Sequence, residues 1–280
     1  MDERPSHLRL ARGPLALGGP PLVMGIVNVT GDSFYAPART PDPEQAVRRG
    51  LALAAAGAAI VDVGGLTAQP GAPIGEDEEA ARVVPVVEAL RARSEVVVSV
   101  DTYRTGVAEA VLAAGAEIVN DHSGLSEPAL ADAVARHRAA LVVTHLGPPP
   151  KAPQSRKYAI RPDEIARFLR QRAALAVEHG VAQDAILLDP GLGFGKTVES
   201  DLATLRALPE LRRLGQPLLL ACSHKEVTAA PLGLPESALE GTAAVVAVAA
   251  FLGVELLRLH DLPFMERVAR MAWLLRPERE

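Results

Sequence analysis

Side chains able to carry charge or exchange hydrogen bonds stand at or just past the ends of the apolar runs: Asn28, Asp62, Asp101, Asn120, His145, Asp189, Lys225, Arg258 and His260. A single polar residue in such a place can simply satisfy a loop backbone. A polar group at every such end, with no charged pair expected at the opposite ends, is harder to explain as core structure. Asp101, Asn120 and Asp189 offer two carboxylates and an amide. A carboxylate accepts two parallel hydrogen bonds from adjacent N–H groups, and an amide both donates and accepts along one ring edge. The set suits a planar heterocycle with adjacent N–H donors, such as a pterin or a guanine. Arg258 and His260 are two residues apart, so on a strand they point the same way. With Lys225 they make a cationic wall fit for phosphate or pyrophosphate. The alternative for Arg258 and His260 is a salt bridge to a neighbouring carboxylate.

The densest punctuation is AILLDPGLGFGKT, residues 185–197. An apolar run ends at Asp189 and breaks into Pro190, three glycines, Phe194 and a Lys-Thr pair. Glycines this close together let a backbone approach a ligand. A phosphate-cradling loop needs G-x-x-x-x-G-K-[ST], but Pro190 stands where the first glycine belongs. The third glycine comes too early for G-x-G-x-x-G, so a dinucleotide fingerprint is excluded as well. No metal-ligand spacing appears among the seven histidines, and His122 and His145 read as isolated from acidic clusters. Ser223-His224 lacks a third triad member. Cys222 closes an apolar run and reads as an inert buried thiol.

The elements that must position these groups alternate along the chain. Continuously apolar strands are predicted at 22–29, 58–63, 96–101, 117–120, 140–146, 185–189, 217–223 and 255–260. Helical stretches follow at 44–56, 77–91, 105–114, 128–137, 162–179, 200–214, 237–251 and 263–275. Strands apolar on both faces, each followed by a helix, indicate a covered parallel sheet. Eight such units in about 250 residues have the count and length of a (β/α)8 TIM barrel. Two short strands about Gly13-Pro14, within 8–19, read as an N-terminal β-hairpin lid. A doubly wound sheet is the competitor; it usually needs fewer strands or a second domain, and no linker separates one. The chain is expected to be a single domain over 1–280. Long Pro- and Gly-rich connections at 30–42, 66–76 and 147–161 follow strands one, two and five, on the face where barrel sites form.

Bulk properties exclude several classes. A net charge of −5 with mixed signs, and only 3% aromatic residues, leave no footprint for nucleic acid. One cysteine permits no disulfide within the chain, which fits a cytoplasmic location. The charged N-terminus has no apolar core of a signal peptide. The run 241–254 is too short and too rich in Gly and Ala for a membrane span. Its segment GTAAVVAVAAF, 241–251, is apolar nearly all round, so a homodimer through it is expected.

The segments at 24–34, 57–65, 98–121, 185–197, 223–225 and 257–261 resemble dihydropteroate synthase, in order and over nearly the whole chain. The resemblance implies a (β/α)8 barrel that joins 6-hydroxymethyl-7,8-dihydropterin pyrophosphate to p-aminobenzoate and releases pyrophosphate, with Mg2+. It implies pterin binding by Asp101, Asn120, Asp189 and Lys225, and pyrophosphate binding by Asn28, Arg258 and His260. Asn28 would also meet the metal. Phe194 and Ser223 would face the p-aminobenzoate acceptor, and Asp101, Lys225, Arg258 and His260 would carry the catalysis. The chain departs from the family at Ala36, where an Asp is usual, and at Ala68 and Gln69, where Thr and Arg are usual. The family's S-R-K reads Ser223-His224-Lys225, and its M-H-M reads Thr144-His145-Leu146. The resemblance thus also allows a paralogue that binds a pterin but uses another acceptor or has lost the reaction. A barrel that passes a methyl group from a folate to a corrinoid would need no pyrophosphate site, and a non-catalytic barrel ranks last.

Overall fold

The computed structural model describes residues 5–29, 42–66, 74–147 and 157–277. The expected lid opens the chain as two short antiparallel strands, β1 (His7–Leu8) and β2 (Leu15–Ala16). Eight parallel strands follow: β3 (Leu22–Asn28), β4 (Ile60–Gly64), β5 (Val97–Asp101), β6 (Ile118–Asp121), β7 (Ala140–Thr144), β8 (Ile186–Asp189), β9 (Leu219–Ala221) and β10 (Leu256–Leu259). Their order in the sheet is β8-β7-β6-β5-β4-β3-β10-β9. The remaining seam is bridged where Leu188 N–H donates to Pro217 O at 3.0 Å. Sequential neighbours around a closing ring are the barrel order; a doubly wound sheet would break it at a switch point.

The outer helices are α1 (Pro43–Ala55), α2 (Glu76–Arg93), α3 (Thr105–Ala113), α4 (Ala129–Arg136), α5 (Pro162–Glu178), α6 (Val198–Arg206), α7 (Leu208–Leu211), α8 (Glu226–Ala229), α9 (Glu240–Leu252) and α10 (Phe264–Leu274). Local chemistry sets several starts. Asp42 caps α1 by accepting from Glu44 N–H at 3.2 Å, with Pro43 at the first helical position. Thr197 caps α6 by accepting from Ser200 N–H at 3.2 Å, so the threonine of the Gly-Lys-Thr ending serves a helix.

Two expectations are corrected, and one short helix was not foreseen. The single helix at 200–214 is α6, then α7, then a 3-10 turn at Arg212–Leu214, because Pro209 cannot continue the hydrogen-bond ladder. The four-residue helix α8 is too short to register as a hydrophobic period. The barrel's N-terminal face does carry charged pairs. Arg12 reaches the buried Glu117 at 2.7 Å and Arg212 reaches Glu255 at 2.6 Å. The hairpin lies on that same face, where Arg9 N–H donates to Asp184 O at 2.9 Å, and so covers the end opposite the polar strand tips.

Strand aliphatics such as Ile60, Val98, Ile118, Leu141 and Leu187 are fully buried inside the helical ring. On the outside, Val248 and Phe251 of α9 and Phe264, Met271 and Leu274 of α10 stay exposed. Among the described residues, no helix is long and apolar enough to cross a membrane.

Candidate active site

Strand register sets the level of each polar side chain. Asn28 pairs with Gly64, Gly64 with Asp101 and Asp101 with Asn120, so these residues ring the C-terminal mouth. Asp62 lies one layer below, beside Ser99. It is completely buried and fully hydrogen-bonded. Its Oδ1 accepts from Ser99 Oγ at 2.6 Å; its Oδ2 accepts from Asn120 Nδ2 at 3.0 Å and from Arg258 Nε at 2.7 Å. The same guanidinium donates to Asp101 Oδ2 at 2.8 Å. Arg258 therefore takes the alternative open to it in the sequence, a salt bridge, and bridges two carboxylates from the barrel floor.

The expected cationic wall is not assembled from three charges. Burial, and then Arg258, drive the His260 imidazole down to about 3, so the ring is neutral at physiological pH. The His260 backbone N–H donates to Ser223 Oγ at 3.3 Å, which links the buried Ser223 to the end of β10. Lys225 points elsewhere, capping the Leu192 carbonyl, with its ammonium 4.9 Å from the centre of the Phe194 ring. Burial lowers its pKa, while Asp189 pulls the other way.

Asp189 ends β8 and is buried. Its Oδ1 accepts from Gly191 N–H at 2.7 Å. Burial raises its pKa, against the pull of Lys225. A buried carboxylate with one oxygen held by backbone and an ammonium nearby is poised to accept further N–H donors. The turn that follows needs its glycines. Gly191 has φ +67°, and a Cβ there would lie 2.0 Å from His145 O.

Asp101 is ionised and pinned from two sides. Burial alone would raise its pKa, but His122 and Arg258 together hold it below the ordinary value. His122 Nδ1 lies 2.7 Å from Asp101 Oδ1, so the expected isolation of His122 from acidic groups is overturned. The parallel pairing of β5 and β6 brings residues just past their ends together, and no local spacing announces that. His145 matches its expectation better. Burial and Lys196 push its ring to about 3, and it packs edge-on against Phe168.

Lys196 and Asp201 were not anticipated as site residues. The buried Lys196 ammonium donates to Gly191 O at 2.5 Å, and burial lowers its pKa to about 8. Asp201 Oδ2 accepts from Gly193 N–H at 2.8 Å. Together they tie the glycine turn to β7 and α6, so the Lys-Thr pair is structural support for Asp189. The Cys222 thiol is fully buried and raised to about 12, as an inert core thiol would be. His224 links two connecting segments, the one before α9 and the one after β10: Nε2 meets Asp261 Oδ2 at 2.6 Å and Nδ1 meets Glu236 O at 2.8 Å.

For a metal, the donor set is thin. Among the described residues no three His, Cys, Asp or Glu side chains gather to hold one. Asn28 offers an amide oxygen above Gly64, where a Cβ would lie only 3.4 Å from Oδ1. Mg2+ commonly keeps waters and substrate phosphates in its shell and takes one or two protein oxygens, so a single Asn fits a metal that arrives with its substrate. Ala36, Ala68 and Gln69 lie outside the described residues.

A parallel (β/α)8 barrel with buried carboxylates, an amide and a lysine at its strand ends is the form of a pterin-binding enzyme, and the family model described as "Pterin binding enzyme" matches residues 24–260. The dihydropteroate synthase of Bacillus subtilis is 38% identical over 253 residues, 89% of this chain and 87% of that protein. An inactive dihydropteroate synthase 2 of Mycobacterium leprae is 37% identical over 260 residues, 89% of this chain and 89% of that protein. A solved dihydropteroate synthase of Xanthomonas albilineans with 4-aminobenzoic acid is 38% identical with a TM-score of 0.86, covering 97% of this chain and all of that one. The chain belongs to the dihydropteroate synthase family of pterin-binding enzymes.

Proposed function

We propose that this transferase joins 6-hydroxymethyl-7,8-dihydropterin pyrophosphate to p-aminobenzoate and releases pyrophosphate. The observation that carries the reading is Asp189: a buried carboxylate with one oxygen on Gly191 N–H, in the field of Lys225. Its other oxygen suits the 2-amino and N3 edge of a pterin, whose N–H donors would offset the cost of burial. Asn120 and Lys225 complete the pterin pocket. Loss of pyrophosphate leaves positive charge on the exocyclic carbon, and the ionised Asp101 stabilises it. Asn28, Arg258 and His260 line the pyrophosphate side. Asn28 Oδ1 would hold Mg2+, which neutralises charge on the leaving group when bound. Phe194 and Ser223 face the arylamine, which attacks the carbon and gives its proton to solvent.

Residues 1–280 act as one pterin-binding barrel domain in this reading. The exposed apolar residues of α9 and α10 form a homodimer interface, and the single unpaired cysteine accords with a cytoplasmic home.

The test supplies dihydropterin pyrophosphate and Mg2+ and follows pyrophosphate and dihydropteroate with and without p-aminobenzoate. Coupled formation of both products is expected. Pyrophosphate release without dihydropteroate assigns another acceptor, the alternative that the substitutions Ala68 and Gln69 leave open. No release despite pterin binding removes the transferase.

A further inference from the structure

Asp101 pairs with Asn120 across β5 and β6, so residue 122, two positions on, rises beside the end of β5. His122 Nδ1 contacts Asp101 Oδ1 at 2.7 Å while Arg258 holds the other oxygen at 2.8 Å. The imidazole lies edge-on to Tyr103, with centroids 5.3 Å apart. It stacks within 8° of the Phe194 plane at 6.0 Å. One ring thus touches both the carboxylate assigned to the pterin cation and the aromatic assigned to the acceptor.

An ionised carboxylate only accepts, so Nδ1 carries a hydrogen in either state of the ring and the titrating proton sits on Nε2. The contact with Asp101 persists through titration; only the charge changes. The groups facing His122 are Asp101, Asp121, Tyr103, Arg258 and Glu79. Burial raises the pKa of Asp121 and of Glu79, but Asp121 accepts from Ser123 and Leu125 N–H and Glu79 is paired with Arg104 at 2.9 Å, so neither is free to balance the floor. Two carboxylates, Asp62 and Asp101, share the single Arg258 guanidinium, so this cluster by itself carries one net negative charge, which an imidazolium at 122 cancels.

We propose that His122 is a positioning residue that fixes Asp101 and, through its own charge, sets the balance between binding the pterin pyrophosphate and forming the cation that follows. This rests on the functional reading above. Protonated, it removes the floor's negative charge and favours the polyanionic substrate. Neutral, it restores that charge, which opposes the substrate and stabilises the positive carbon. Asp101 raises the His122 pKa despite the opposing effect of burial, so the crossover lies above the ordinary 6.5. Pterin affinity falls and turnover rises as pH climbs through it.

The experiment uses the full chain with Mg2+ and dihydropterin pyrophosphate, measuring Kd and kcat between roughly pH 6 and 9. His122→Asn keeps a donor near the Nδ1 position without titrating; His122→Phe keeps the ring without the hydrogen bond. The wild type loses about tenfold in affinity across the window while kcat moves the opposite way, a factor of ten being the size of one nearby charge. His122→Asn lacks both trends, and His122→Phe loses kcat at every pH. Ring 15N spectra of the wild type follow Nε2 directly, whatever the variants' stability. Superimposable wild-type and His122→Asn profiles, or a ring that does not titrate, overturn the inference while pterin binding stands. No pterin binding in either protein overturns the functional reading and this inference with it.

Discussion

Arg258→Met tests whether the barrel floor is held by one guanidinium. The methionine keeps much of the length and removes the charge. Asp62 retains Ser99 and Asn120 as donors and Asp101 retains His122, but two carboxylates then face each other in a buried site without their shared cation. Removing one partner of a buried ion pair costs about 3–5 kcal/mol. For a chain of this length that lowers Tm by roughly 5–9 °C. The pH dependence has a definite sign. In the wild type the Asp101 pKa lies below its ordinary 3.8, so its stabilising share is complete above that value and is lost only as pH falls through the lowered one. In the variant, burial and mutual repulsion raise one carboxylate, which takes up a proton as pH falls from about 8 to about 5.5 and relieves the penalty. Urea unfolding of both proteins at those two pH values measures the difference. Adding Asp62→Asn to Arg258→Met recovers at least about 1 kcal/mol, because the unpaired charge is gone. A penalty under about 0.5 kcal/mol at pH 8, within the range of ordinary surface substitutions, refutes the argument, as does one that grows on acidification.

Asp189→Ala abolishes pterin binding by calorimetry while the far-ultraviolet circular dichroism stays unchanged; unaltered affinity would remove Asp189 from the pocket. Gly191→Ala weakens pterin binding at least about tenfold, because its Cβ would lie 2.0 Å from His145 O and the turn carrying Asp189 must shift. The folded-state pKa of Lys196, about 8, lies below its ordinary 10.5. Its full stability contribution is therefore present above 10.5 and is lost as pH falls through 8. Between those values the wild type gains roughly 3 kcal/mol over Lys196→Met, read from denaturant midpoints, and a flat difference contradicts the burial cost. Phe251→Asp combined with Met271→Asp turns the proposed dimer into a monomer in sedimentation velocity; a wild type that is itself monomeric at micromolar concentration removes the interface.

The alternation of apolar runs and helices was legible because each strand is buried on both faces and reads as a continuous aliphatic stretch, as 140–144 and 186–189 do. The side chains at the strand ends were legible for the same reason, since a polar residue closing such a run stands out. What the residues do to one another was not. Arg258 and Asp62 are 196 positions apart and meet only because β10 closes against β3, beside β4. The bond from His122 to Asp101 depends on the register of β5 on β6, which no local pattern encodes. On the other face, Arg12 finds Glu117 only once the hairpin folds under the barrel. Pro209, by contrast, was a local signal, and it marks where the expected long helix ends.

The pairing of Arg258 has a consequence for how the site meets an anion. A guanidinium shared between Asp62 and Asp101 has its charge largely spent, His260 is neutral, and Lys225 is drawn toward Leu192 O and Asp189. The described floor therefore supplies little free positive charge to a pyrophosphate. Its three fully formed charges favour instead a cation above Asp101, which is what the chemistry leaves after pyrophosphate departs. Such a site discriminates in favour of the transition state, because the group it stabilises does not exist in the bound substrate. On the proposed reading, ground-state affinity for the anion rests instead on Mg2+, on Asn28 and on pterin contacts of Asp189. On this argument Asp101→Asn lowers kcat far more than it weakens substrate binding, whereas Asp189→Ala does the reverse. Measured side by side, equal effects of the two substitutions on kcat and Kd would contradict that division of labour.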